Sequence, residues 1–378
     1  MEPITHLLTG VCIGRAGLNR KTAYATLAAV LAAEAADIDV LWSFAGPVEE
    51  LKHHRGITHT FIAAPVVAGV AVGAVWLFHR WREARFNRKH ATAPPLDARA
   101  PALRARQTID WRWLYLTALI SALSHLALDW TNNYGLRPFF PFNPCWYEGS
   151  FVFIAEPVLW ALFFLALFIP WLFGLIGGEI GARRKPFRGR GWAIFALCGM
   201  GLLWGWRWAE HGRALALLQN NQVAADPIQR MAAEPYPVNP FRWHAILETA
   251  NYYQTAEVNT VTGSIDSDPK DDILFKPPST RDTEAAKRTL LGRVYLDWGA
   301  WAVVRDVGQQ PVAGIGPPDL PPNRNWTTVQ FSDLRFAYSF LGVGRSSRAG
   351  ASSPLSGWVY IVDGRDEAGE GMGGREQK

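Results

Sequence analysis

Residues 113–130 read WLYLTALISALSHLALDW, a run in which only His125 and Asp129 can carry charge near neutral pH. Eighteen mostly apolar residues approach the roughly 20 that a helix needs to cross about 30 Å of hydrocarbon. The two exceptions stand four apart, so an imidazole and a carboxylate leave the same helix face. A charge at the centre of a span costs about 2.5–3.5 kcal/mol on insertion scales, so such a pair is retained for pairing or for function. The stretch therefore reads as a membrane helix, and the chemistry is to be sought among the few polar residues of the apolar half.

Working outward, similar runs occupy residues 61–78, 151–176 and 192–208, with weaker ones at 22–42 and 4–18. The predicted fold is mainly α: a polytopic helical membrane domain of about six hydrophobic segments over 1–210, followed by a small α+β soluble domain over 241–363. A helical, proline-rich linker at 211–240 joins the two, and 364–378 reads as a disordered tail. In the second domain, 243–247, 252–260, 326–331, 334–340 and 358–362 are predicted strands, and 283–304 a single helix running into a strand. The composition agrees. Of 378 residues 49% are apolar and 19% charged, which excludes a disordered or collagen-like chain. The mean hydropathy is near zero because an apolar half is averaged with a polar one.

The net charge of +5 does not mark a nucleic-acid binder, because the basic residues cluster between apolar runs. Arg15, Arg20 and Lys21 follow the first segment. Arg80, Arg82, Arg85, Arg88, Lys89, Arg99, Arg104, Arg106 and Arg112 follow the third, and Arg183, Arg184, Lys185, Arg188 and Arg190 the fifth. These are alternate loops, hence on one side, and lysine and arginine placement makes that side cytoplasmic. The C-terminal domain is then extracytoplasmic. Cys12, Cys145 and Cys198 form no CxxC and support neither a disulfide framework nor a thiolate metal site. The N-terminus is not expected to be a cleavable signal, lacking a basic leader. There is no phosphate loop, nucleotide fingerprint or serine nucleophile motif.

The informative polar residues are His6, the Asp37-x-Asp39 pair, the run His53-His54-Arg55-Gly56-Ile57-Thr58-His59, His125 with Asp129, and Glu156. Apart from Glu156, which precedes Pro157 and reads as a helix cap, all are predicted at the extracytoplasmic ends of their segments. Mixed histidine and aspartate sets suit zinc, and carboxylate-rich ones hold more than one divalent ion. Such a centre lowers the pKa of a bound water toward about 7 and polarises an ester or phosphoryl oxygen. His53 reads as a loop residue, His79 and His90 lie on the basic side, and His211 and His244 lie in the C-terminal part, so none of these is a candidate ligand.

These motifs resemble the bacterial membrane-bound metal-dependent hydrolases, the YdjM-like inner-membrane family. The matching pieces are Pro3-Ile4-Thr5-His6, Ala36-Asp37-Ile38-Asp39-Val40, His54-Arg55-Gly56-Ile57-Thr58-His59 and Ser124-His125-Leu126-Ala127-Leu128-Asp129, over roughly residues 1–210. The family has proline where Ala36 stands. A more distant similarity is to zinc-dependent phospholipase C. The resemblance implies a multi-pass inner-membrane protein with His6, Asp37, Asp39, His54, His59, His125 and Asp129 as metal ligands. It implies a metal-activated water attacking an ester or phosphoester, with a lipid or other phosphoester as substrate. Asp39 is then the expected base, and Arg55 the expected phosphate partner through its planar fork, against a reading in which Arg55 bonds loop carbonyls. The alternative is a non-catalytic membrane protein whose polar cluster is structural and whose C-terminal domain recruits a partner. A transporter is disfavoured, because the polar residues gather at one face.

Overall fold

The structure, a computed structural model, describes residues 1–90, 108–179, 189–312, 324–338, 355–373 and 375–376. Much of the basic material, including Arg99, Arg104, Arg106, Arg183, Arg184, Lys185 and Arg188, lies outside the described residues, as does 339–340 of one expected strand. The chain divides into two units. One comprises Met1–Ile38 and Arg55–Trp206, the other Asp39–His54 and Arg207–Lys378.

The described helices up to residue 220 are α1 (Pro3–Arg15), α2 (Ala25–Glu34), α3 (Pro47–His53), α4 (Ala64–His90), α5 (Trp111–Thr131), α6 (Pro157–Glu179) and α7 (Arg190–Asn220). A 3-10 stretch, Ala35–Ala45, follows α2, and a 3-10 turn, Ile57–His59, precedes α4. In the first unit α5 is central, packed by α1, α2 and α4, while α1 also meets α6. Val67, Ala68, Ala71 and Val75 of α4 interlock with Leu114, Ala118, Ala122 and Leu126 of α5, each set recurring at helical spacing.

Small residues draw α1 onto α2. Ala25, Ala28, Ala29, Ala32 and Ala33 are buried along α2, and a Cβ on Gly14 would lie 2.5 Å from the Thr26 Cα. Without a hydrophobic drive between helices in lipid, such close backbone approach supplies the packing. Gly14→Val is expected to push the helices apart and cost about 1–3 kcal/mol. It should be read as a lowered thermal midpoint of the purified chain; an unchanged midpoint would mean the helices do not touch there.

Two described helices are long and apolar enough to cross a membrane, α4 over Ala64–Arg88 and α6 over Pro157–Leu175, in place of the six segments expected. With 13 and 10 residues, α1 and α2 rise only about 20 and 15 Å, short of about 30 Å of hydrocarbon. Length is not the obstacle for α5 and α7, with 21 and 31 residues. Their tryptophans, and in α5 the serines with His125 and Asp129, hold down their apolarity. Ser121, His125 and Asp129 lie on the buried face of α5, while Leu116, Ile120 and Leu123 are exposed.

The second unit is built on antiparallel strands: β1 (Arg230–Pro235), β2 (Arg242–Glu248), β3 (Tyr252–Asn259), β4 (Ser264–Asp266), β5 (Ile273–Phe275), β6 (Ala302–Asp306), β7 (Trp326–Asp333), β8 (Gly357–Val362), β9 (Asp366–Met372) and β10 (Arg375–Glu376). Helix α8 (Pro269–Asp272) precedes β5, and α9 (Arg281–Ala286) and α10 (Leu290–Trp298) precede β6. One sheet runs β1-β2-β3-β4 with β5 also on β3, the other β10-β9-β8-β7-β6. Ile246, Trp301, Val303 and Leu334 form a core shared by both.

Four expectations are corrected. The 211–240 stretch is helical as expected only to Asn220, where α7 ends, and carries the strand β1 at Arg230–Pro235. The expected single helix is two, because Thr289 caps a new start by accepting from the Gly292 amide. Residues 334–336 form a 3-10 turn rather than a strand, with the Asp333 side chain accepting from the Arg335 amide. The tail is not disordered through 364–372. Asp363 and Gly364 turn the chain with positive φ of 50° and 72°, and β9 then pairs along the buried strand β8. The insertion 39–54 is a further surprise: α3 packs on α10 and β9, burying Val48 and Leu51.

Candidate metal centre

The site is assembled around one face of α5. Ser121 Oγ donates to the Ala29 carbonyl at 2.6 Å, and one turn on His125 Nδ1 meets the Ala33 carbonyl at 2.6 Å. Both carbonyls belong to α2, and Ala33 lies in its last turn, where carbonyls lack helical donors. This rivet fixes the ring of His125 and its tautomer. With Nδ1–H given to Ala33, Nε2 carries a lone pair and faces inward.

One turn further, Asp129 joins His125 on the same face. Its Oδ2 lies 3.3 Å from His125 Nε2. The 3-10 stretch after α2 turns Asp37 toward the same point, its Oδ1 3.6 Å from His125 Nε2. His59 completes the group from the turn before α4, its Nε2 3.0 Å from His125 Nε2, 3.2 Å from Asp37 Oδ1 and 3.4 Å from Asp129 Oδ2. Its Nδ1 meets Thr58 Oγ1 at 3.1 Å. The four donor atoms all lie within 4.8 Å of one another.

These separations test the fit of a cation. Ligand bonds of about 2.0–2.2 Å in a tetrahedron require donor atoms about 3.3–3.6 Å apart. Five of the six pairs span 3.0–3.6 Å, with 3.0 and 3.2 Å a little short of that range. Asp129 Oδ2 is buried and accepts no hydrogen bond, although a lone-pair nitrogen sits against it. Acceptors crowded in this way need a shared proton, such as one on His59 Nε2, or a cation between them. The donor set therefore fits a divalent ion, and nitrogen with carboxylate oxygen suits zinc.

Arg55 closes the other side of Asp129. Its guanidinium donates to Asp129 Oδ1 at 2.8 Å, to the Gly135 carbonyl at 2.8 Å and to Asn132 Oδ1 at 3.2 Å. It also lies 4.7 Å over the Tyr134 ring. The residue is only 2% exposed, and its backbone is left-handed, with φ of 52°. Its bonds thus go to a carboxylate, a side-chain amide and one backbone carbonyl.

Three further expected ligands are not among these four donors. His6, from α1, stacks on His125 with ring centroids 3.8 Å apart, and its Nε2 is 3.4 Å from Asp129 Oδ1. It buttresses the site, with Nδ1 buried and unbonded. Asp39 and His54 belong to the second unit, where His54 Nδ1 meets Asp39 Oδ1 at 3.4 Å. Glu156 is a cap, its side chain accepting from the Val158 amide at 3.3 Å. Asn132, Gly135 and the Ala33 carbonyl were not anticipated. Asn132 follows Asp129 by three residues at the end of α5, the one local signal that marks it.

A family model described as YdjM inner membrane protein matches residues 1–214. The chain belongs to the YdjM inner membrane protein family. All four convergent residues, with His6 and Arg55, fall inside the YdjM region, whereas every strand from β1 onward lies beyond it. The family makes this an inner membrane protein. No curated protein and no solved structure matches the chain, so the likeness to zinc-dependent phospholipase C is not supported by a structural relative.

Proposed function

We propose that this YdjM-family chain is a metal-dependent hydrolase that cleaves an ester or phosphoester at the extracytoplasmic face of the inner membrane. Asp37, His59, His125 and Asp129 are the proposed ligands, and zinc the proposed ion. The supporting observation is the convergence of two imidazole nitrogens and two carboxylate oxygens within 4.8 Å of one another. When bound, such an ion supplies Lewis-acid polarisation of the scissile group and lowers the pKa of water.

The chain's own residues divide the remaining work. His125 is oriented by Ala33, and Asp129 is held by Arg55, so neither swings away from the centre. Asp37 is the least enclosed of the four, with its side chain 23% exposed, and marks the side from which substrate and water enter. Arg55 is committed to Asp129, Asn132 and Gly135, which makes it a positioning residue. The placement of the lysine and arginine runs supports the orientation, with the C-terminal unit outside.

The test is turnover of bis(p-nitrophenyl) phosphate and p-nitrophenyl acetate by the zinc-loaded, detergent-purified full chain. Loss of an outer partner of a metal site costs about 10–100-fold, so His59→Ala is expected to lose at least about 100-fold with its circular dichroism unchanged. Chelation should silence the wild type and zinc restore it. No hydrolysis of any ester, or undiminished hydrolysis by His59→Ala, contradicts the reading.

A further inference from the structure

The turns that carry the proposed ligands are edged with exposed apolar side chains. Ile38 follows Asp37 and is 56% exposed, and Ile57, two residues before His59, is 67% exposed. Phe61 and Ile62 continue the strip, and Val66 and Val70 carry it into α4. A mouth serving a small water-soluble ester has no use for such an edge.

The strip is joined to a second apolar feature. The Phe61 amide donates to the Pro138 carbonyl at 3.0 Å, and its ring lies 5.5 Å from that of Phe139. Residues 132–150 form a built hairpin rather than a loose loop. Leu136 and Tyr147 exchange both backbone hydrogen bonds, at 3.0 and 2.8 Å, and the amides of Gly149, Phe151 and Val152 return to Trp130 and Thr131 carbonyls. The Arg137 guanidinium lies over both the Phe140 and Trp146 rings, at 5.1 and 4.7 Å. A tip held this firmly still presents Phe139 and Phe142 outward, Phe142 at 82% exposure.

What covers these side chains follows from continuity. The strip runs without interruption into α4, one of the two helices fit to cross the membrane, in a chain of an inner membrane family. We propose that the hairpin tip and the 57–62 strip are seated in the lipid leaflet, and that the site draws an acyl-chain amphiphile from that leaflet as its substrate. The substrate clause rests on the hydrolase reading; the seating does not.

Two measurements on the full chain separate them. With Cys145 and Cys198 replaced by serine and Phe142→Cys spin-labelled, the chain is reconstituted in phosphatidylcholine–phosphatidylglycerol vesicles. Power saturation is then compared with a headgroup-labelled lipid. Greater accessibility to oxygen than to a nickel chelate is expected, deeper than the headgroup reference. Dominance of the nickel chelate overturns the seating. For the substrate, a fluorogenic diacyl phospholipid in mixed micelles is compared with bis(p-nitrophenyl) phosphate in buffer. Replacing Phe139 and Phe142 by serine is expected to lower the ratio of lipid to soluble turnover at least about tenfold; an unchanged ratio overturns the substrate clause. If the wild type hydrolyses neither, the hydrolase reading and the substrate clause fail together, and the label still decides the seating.

Discussion

Asp129→Ala is expected to abolish stoichiometric metal binding and to destabilise the chain by about 3–5 kcal/mol, the cost of stranding a buried charge. Both effects follow from one side chain with two duties. Asp129 Oδ2 faces His59 and His125, while Oδ1 accepts from Arg55 and also lies against the Met1 nitrogen. Alanine removes a proposed ligand and leaves the guanidinium without its carboxylate. Asp129→Asn separates the two duties. It keeps the shape and one acceptor for Arg55 but lowers the charge at the centre, so metal is expected to fall sharply while much of the stability survives. Elemental analysis beside thermal unfolding in detergent reads both quantities. Retention of full metal content by Asp129→Asn would contradict the assignment of this carboxylate.

Arg55→Ala carries the second large effect. The residue is buried, makes three hydrogen bonds to groups 74–80 positions away in sequence, and holds a left-handed backbone. Its loss frees the 132–135 turn and leaves Asp129 ionised in a closed interior, again a cost of about 3–5 kcal/mol. A second cation nearby would offset part of that penalty. The variant should therefore lean on zinc more heavily than the wild type, since a ligand at 100 times its dissociation constant adds about 2.7 kcal/mol. Unfolding scans with and without zinc test this. A lysine replacement is expected to rescue little, because one ammonium cannot span Asp129, Asn132 and the Gly135 carbonyl as the planar fork does. Wild-type stability in Arg55→Lys would show that the fork is not used.

The parts of the site legible in sequence were those with local periodicity. His125 and Asp129 announce a shared helix face by their spacing, and the apolar run around them announces burial. Asp37 and His59 were recognisable as residue types at segment ends, but their meeting depends on a 3-10 stretch and a turn whose directions no periodicity encodes. The role of Arg55 was open for the same reason. Its partners Asp129, Asn132 and Gly135 come from a distant helix end, and only the folded chain brings them to its guanidinium.

The fold was legible to a similar depth. Helices in the first half and strands in the second follow from their periods. The number of spans did not follow, because an Ala-rich or Trp-rich run reads as apolar whether it is a 10-residue helix packed on a neighbour or a full crossing. Residues 39–42 read as the end of an apolar segment, and only the burial of Val48 and Leu51 and the packing of α3 on α10 and β9 show that α3 belongs with the sheets. The strand β9 was hidden by Gly369 and Gly371, whose weak strand preference is overridden by pairing with β8.

The central claim is that two imidazoles and two carboxylates share one divalent ion. Zinc-edge X-ray absorption on the purified full chain, wild type beside His59→Ala, tests it most directly. The wild type should hold about one zinc in a shell of nitrogen and oxygen alone at about 2.0–2.2 Å, with imidazole scattering that disappears, along with the bound metal, in the variant. A wild type without stoichiometric metal, or a spectrum that His59→Ala leaves unchanged, would contradict it.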